Sequence, residues 1–179
     1  ERLQGFLLRY AGFACLLTFW LLPGLVAATT HVGHRKMVSA SQDALVPALT
    51  ELSPDVDERL AIGAQRATRA FPLTSIREMF EETGLIVGRA ASGLGDVPAA
   101  WSDYYAQGAA PCLASFQFLG RAITPPMRHK RFDARFFMAD ADDALIDDRP
   151  PIDGRELADL RWFTLAEVAG LDLPNVTRF

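Results

Sequence analysis

The most apolar part of the chain comes first. Between residues 10 and 30 there is no charged residue, and residues 14–22 are almost wholly apolar. Arg2 and Arg9 precede this run, and His31, His34, Arg35 and Lys36 follow it. About twenty apolar residues suffice to span a bilayer. A basic start before an apolar run also suits a signal peptide, with Val26-Ala27-Ala28 as a weak small-residue cleavage site. Gly12, Pro23 and Gly24 interrupt the run, so a buried strand pair or core helix is the expectation and a membrane segment the alternative.

Further on, the apolar positions become periodic. Residues 37–54 are punctuated by Ser39, Ser41, Asp43, Pro47, Ser53 and Pro54, a loop-like composition. Ser53 is a fair N-cap and Pro54 a natural first helical residue. Leu60, Ala64, Ala67 and Phe71 then recur at near-helical spacing, which predicts a helix over 56–71 ended or kinked by Pro72. A second helix is predicted from Leu73 or Thr74 to about Thr83, with Gly84 at its C-terminus and Leu85, Ile86 and Val87 opening a buried strand. Trp101, Tyr104 and Tyr105 predict a short helix that packs as a satellite cluster. Strands are predicted over 114–123, 132–139 and 156–163, the first ended by Thr124-Pro125-Pro126 and the last turning Trp162 and Phe163 inward. Thr164-Leu165-Ala166-Glu167 has the capping-box pattern of a short final helix that Gly170 can stop.

Composition narrows the picture. A chain of 179 residues, 50% hydrophobic, can bury one good core. The expected division is an apolar N-terminal segment, 1–36, and one domain, 37–179. The net charge of −4 speaks against a nucleic-acid-coating surface. Cys15 and Cys112 form no disulfide framework or zinc pattern, and Cys112 is expected as a small buried hydrophobe. His31 and His34 fall far short of a metal-ligand signature. Gly93-Leu94-Gly95-Asp96 lacks the third Gly and the Lys of a phosphate loop. Asp140, Asp142, Asp143, Asp147 and Asp148 lack the Gly and terminal Glu of an EF-hand and are expected as solvated surface.

The candidate chemistry lies in residues 76–87. On a helix, Glu78, Glu81 and Glu82 share one face, and Arg77 stands four residues before Glu81. Such a face is usually just solvated. Clustered carboxylates are nevertheless hard oxygen donors suited to Mg²⁺ or Mn²⁺.

Arg77-Glu78-Met79-Phe80-Glu81-Glu82-Thr83-Gly84-Leu85 resembles the core of the Nudix box, Arg-Glu-U-x-Glu-Glu-x-Gly-U with U a bulky aliphatic residue. The full box also has a Gly fourteen positions before the Arg and a Glu eight before it. Here those positions hold Gly63 and Arg69. The chain is similar to a Nudix branch with an insertion in the box, which includes bacterial members and relatives of peroxisomal coenzyme A diphosphatases. In that branch Phe-Pro-Gly-Gly precedes the insertion, whereas residues 36–41 here are Lys-Met-Val-Ser-Ala-Ser. The stretches Arg-Ala-Ile-Thr-Pro-Pro, from Arg121, and Arg-Phe-Asp-Ala-Arg-Phe-Phe, from Arg131, also resemble this branch.

The resemblance implies an α/β/α sandwich around a mixed sheet, and the departure at residues 36–41 leaves open a sheet incomplete at the N-terminus. It implies a metal-dependent hydrolase acting on a nucleoside diphosphate linked to another moiety. Glu78, Glu81 and Glu82 would be the metal ligands, with Mg²⁺ or Mn²⁺ as cofactor, and Glu78 the candidate base. Arg77 would hold a box carboxylate, and Arg131, Arg135 and Glu156 are weaker substrate-binding candidates. The missing Gly-Gly supports a second expectation, a catalytically impaired nucleotide- or partner-binding domain. The expected partner is a small molecule, not a nucleic acid. The expected location is the cytoplasm, or a membrane tether through residues 10–30.

Overall fold

The computed structural model describes residues 5–9, 20–22, 25–30, 42–93, 95–123, 126–127, 133–152, 158–163 and 167. The apolar front of the chain supplies three strands, β1 (Gly5–Arg9), β2 (Trp20–Leu22) and β3 (Leu25–Thr30). Among the described residues no helix is long and apolar enough to cross a membrane. β2 and β3 pair antiparallel, with Leu22 opposite Leu25. A strand pair is thus what residues 20–22 and 25–30 form; the rest of the 10–30 run lies outside the described residues.

Ser53 and Pro54 begin a helix as their chemistry requires. The Ser53 hydroxyl accepts from the Val56 N–H, and α1 runs over Pro54–Ala61 with Val56 and Leu60 buried. The predicted continuation to residue 71 does not form. Gly63 takes a left-handed conformation (φ 64°) just beyond α1, and residues 62–69 are turns and loop. The helical periodicity across the break is coincidental: Leu60 is buried from α1 and Phe71 from the next helix, while Ile62 between them is exposed.

That next helix, α2 (Ala70–Thr83), starts earlier than predicted and contains Pro72 in its first turn. The first-turn N–H groups of a helix have no intrahelical acceptor, so a proline costs little there. Gly84 ends α2 in the left-handed conformation (φ 71°), its N–H bonded to the Phe80 carbonyl at 2.9 Å. Almost the whole helix is buried, and it packs against β3.

Leu85, Ile86 and Val87 are fully buried but make only one isolated bridge, Val87 to Leu145, flanked by Gly88 N–H to Ala144 and Ile146 N–H to Ile86. The named strand here is the short β4 (Arg89–Ala90). A 3₁₀ turn (Ala99–Trp101) leads into α3 (Ser102–Tyr105), and β5 (Ala109–Ala110) pairs with β4. Trp101 and Tyr104 are not a satellite. They are completely buried in the main core with Leu73, Ile76, Met79 and Phe137. The polar look of their stretch comes from Ser102 and Asp103, which face solvent.

β6 (Gln117–Ile123) and β7 (Asp133–Ala139) complete a four-stranded sheet of order β2-β3-β7-β6, antiparallel throughout. α1 lies against β6. Part of the acidic loop forms a one-turn helix, α4 (Ala141–Ala144), capped by the Asp140 side chain. β8 (Ala158–Phe163) pairs antiparallel with β1. The one parallel contact among the described residues is an isolated bridge between Thr50 and Cys112. Cys112 is only half-buried, its sulfur 3.1 Å from the Thr50 hydroxyl, so it serves as a polar contact and not as the small buried hydrophobe expected.

Candidate active site

The carboxylates of α2 do not share one environment. Glu78 is fully buried and Glu82 nearly so, one turn further on. Glu81 is about half exposed and accepts a 2.7 Å bond from Arg77 Nη1. The arithmetic of a helix explains the split. Residues four apart lie about 40° apart around the axis, whereas Glu81 is rotated some 60° from Glu78 the other way.

Arg77 is the cation among them. Besides Glu81, its Nη2 lies 3.6 Å from Glu78, and its Nε donates to Asp43 at 3.2 Å. Burial opposes the charge on Arg77, but Asp43 and then Glu81 outweigh it, holding the guanidinium above its ordinary value. It is therefore a permanent cation at the root of the carboxylate face.

Asp43, which the sequence pattern marked only as loop punctuation, is the hub of this network. It is fully buried and accepts from four donors: Thr74 Oγ1 at 2.8 Å, Trp101 Nε1 at 2.7 Å, and Arg77 Nε and Nη2 at 3.2 and 3.4 Å. The loop carrying it is fastened by Arg69, which donates to the carbonyls of Ala44 and Val46 and pairs with Glu51 at 2.8 Å. Arg69 is the residue standing where an uninterrupted box has Glu. The loop it fastens brings in a different carboxylate, Asp43, for Arg77. The only sequence signal was an acid directly before the apolar run from Ala44, which is weak by itself.

The aromatic cluster borders the same helix. Tyr104 donates to the Val87 carbonyl at 2.7 Å and stacks edge-on against Phe80 and Trp101. Burial pushes the Tyr104 hydroxyl far above its usual range and that of Tyr105 up to about 12.

Of the weaker candidates, Arg131 and Glu156 lie outside the described residues, as does most of 164–170. Arg135 is on β7, buried, with its guanidinium over the Phe71 ring at 3.8 Å and 3.3 Å from Asp133.

A solved structure can be set beside this geometry. The crystal structure of a Nudix hydrolase from Alicyclobacillus acidocaldarius superposes with a TM-score of 0.53 at 23% identity, over 96% of this chain and 77% of that one. This is the Nudix fold. No family model matches the chain, and no curated protein does either.

The donor set on this Nudix fold can be tested against the ion that the resemblance implies. Among the described residues no group of three or more His, Cys, Asp or Glu is gathered for a metal. Mg²⁺, however, typically takes one or two protein carboxylates and fills its octahedron with water and substrate phosphate oxygens. Glu78 and Glu82, all-oxygen donors one turn apart on a buried face, fit that habit.

Proposed function

We propose that the chain is a metal-dependent Nudix-type hydrolase, built as an α/β/α sandwich, that cleaves the diphosphate of a nucleoside diphosphate linked to another moiety. The observation that carries this reading is the pair Glu78 and Glu82, buried on one stripe of α2 beside the permanently charged Arg77. Burying two carboxylates costs several kcal/mol each unless positive charge compensates. Among the described residues Arg77 also pairs with Asp43 and Glu81.

Glu78 and Glu82 would hold Mg²⁺ or Mn²⁺, with Glu81 as the third carboxylate of the set. The bound ion would neutralise the diphosphate and make a bound water more acidic. Glu78, the most deeply buried of the three, is the candidate to take the proton of the attacking water. Arg77 does not touch substrate in this scheme: it ties Glu81 and Glu78 to Asp43 and so fixes the helix face. Arg131, Arg135 and Glu156 remain the substrate-binding candidates, and the partner is a small diphosphate compound.

The ion pair of Glu81 with Arg77 favours a second reading, since it engages one of the expected ligands. In that reading the domain binds a nucleotide or a partner without turning it over. One experiment separates the two. Phosphate-product release is followed from a panel of diphosphate compounds with Mg²⁺ or Mn²⁺, for the wild type and a Glu81→Gln/Glu82→Gln variant. Metal-dependent turnover that vanishes in the variant supports the hydrolase. A folded wild type with no turnover on any compound moves the assignment to binding alone.

A further inference from the structure

Asp43, Glu78 and Glu81 all contact the guanidinium of Arg77, and they come from two places. Glu78 and Glu81 belong to the same helix as Arg77, with Glu78 Oε1 3.6 Å from Nη2 and Glu81 Oε1 2.7 Å from Nη1. Asp43 comes from the loop before α1 and meets the Nε edge, with Oδ1 3.2 Å from Nε and Oδ2 3.4 Å from Nη2. Nη2 is therefore shared between Asp43 and Glu78. The share of its charge that Asp43 balances is not spent on Glu78.

The place of Asp43 is built for an anion. The residue is fully buried, and each oxygen accepts twice. Oδ1 takes Arg77 Nε and the Trp101 indole N–H at 2.7 Å, and Oδ2 takes Arg77 Nη2 and the Thr74 hydroxyl at 2.8 Å. A carboxylate accepts at both oxygens, whereas an amide would turn an NH₂ towards one of these donor pairs. The residues that follow are clamped as well: Arg69 donates to the Ala44 and Val46 carbonyls, and Tyr105 to that of Pro47. The acid is thus held against Arg77 from a loop 34 residues away in sequence.

We propose that Asp43 is a positioning residue of the candidate metal site and acts through Arg77. By balancing the guanidinium from its Nε edge, it sets how strongly Glu78 and Glu82 attract a divalent cation. Without that balance Arg77 turns its full charge on the carboxylates of its own helix and competes with the cation for them. Charges this close in a buried site interact far more strongly than a surface pair. The inference rests on the reading of Glu78 and Glu82 as metal ligands; the ion-pair geometry does not.

The test measures binding of Mn²⁺ alone, counting the free ion by its EPR signal as each protein is titrated. The proteins are the wild type, Asp43→Asn, Thr74→Val and the charge-neutral Asp43→Asn/Arg77→Gln, with thermal midpoints taken without metal. Asp43→Asn is expected to weaken Mn²⁺ binding roughly tenfold or more. Thr74→Val takes a hydrogen bond from the same carboxylate but no charge, so it should lower the midpoint and leave the affinity unchanged. The double variant should return to within about threefold of the wild type, the signature of two groups that act as one in a double-mutant cycle. A folded Asp43→Asn that binds as the wild type does overturns the inference and leaves the metal reading standing. Equal losses of affinity in Thr74→Val and Asp43→Asn, or a double variant that fails to fold or binds no better than Asp43→Asn, reduce Asp43 to a structural role and overturn it too. If Asp43→Asn itself does not fold, the double variant decides against the wild type: recovery as above supports the inference, and any greater loss overturns it. A wild type that binds no Mn²⁺ removes the metal reading itself, and the inference with it.

Discussion

Asp43 and Arg77 form a buried ion pair across 34 residues of sequence, with Nε 3.2 Å and Nη2 3.4 Å from the two carboxylate oxygens. Removing one partner of such a pair leaves a charge in low dielectric poorly compensated, and loss of Asp43 also takes the acceptor from the Trp101 indole N–H, whereas the Thr74 hydroxyl keeps the Ala70 carbonyl. Asp43→Ala is expected to cost about 3 kcal/mol or more. Asp43→Asn, which keeps an acceptor for Trp101, should cost less. Urea unfolding followed by Trp fluorescence measures both, and equal stability of Asp43→Ala and wild type would remove Asp43 as the hub.

Glu82→Gln preserves shape and removes one negative charge from the buried face of α2. If Glu82 is a ligand, Mg²⁺-dependent turnover should fall by more than about 100-fold, because even residues that merely orient a metal ligand cost 10–100-fold. The fold should survive, since the amide is isosteric with the carboxylate. Turnover at the wild-type level in a folded Glu82→Gln protein would take Glu82 out of the metal site.

How these sites show in sequence depends on how local their partners are. The carboxylate face of α2 was legible because helical geometry converts spacing of three and four into adjacency, and Gly84 marks the end of the helix by its backbone. Asp43 was not, because its partners Thr74, Arg77 and Trp101 lie 31, 34 and 58 residues away and no local pattern links them. Periodicity failed in one place for an instructive reason. Leu60, Ala64, Ala67 and Phe71 keep helical spacing, yet Gly63 at positive φ and the Arg121 bonds to the 62–63 carbonyls divide them between two helices and a loop. The strand expected at Leu85 was right about burial, while its pairing among the described residues is limited to the single antiparallel bridge of Val87 with Leu145 and the two hydrogen bonds that flank it.

Gly88 illustrates a constraint of close approach. A Cβ there would come within 2.3 Å of the Ala110 carbonyl oxygen and 2.5 Å of the Tyr104 hydroxyl. The first atom is backbone and has nowhere to go, and the second is held by its bond to Val87. Gly88→Ala is expected to destabilise by about 2–3 kcal/mol, in the range of overpacked cores. A thermal midpoint unchanged from wild type would show that the β4–β5 region can part from the core without cost.

The aromatic cluster sets the alkaline limit of the fold. Burial, opposed only by Arg69, raises Tyr105 to about 12, and burial raises Tyr104 further still. A group whose pKa is higher in the folded state contributes stability that is complete below its unfolded value, near 10, and is lost as pH climbs through the folded value. The protein should therefore hold constant stability from this source up to about pH 10 and lose it progressively between about pH 10 and 12. Ionisation read at 295 nm supplies the check. Tyr105→Phe should delete a transition near pH 12, whereas in a denatured sample the same substitution deletes one near 10. If the folded protein instead shows Tyr105 ionising near 10, the ring is open to solvent and its bond to the Pro47 carbonyl does not fasten the Asp43 loop.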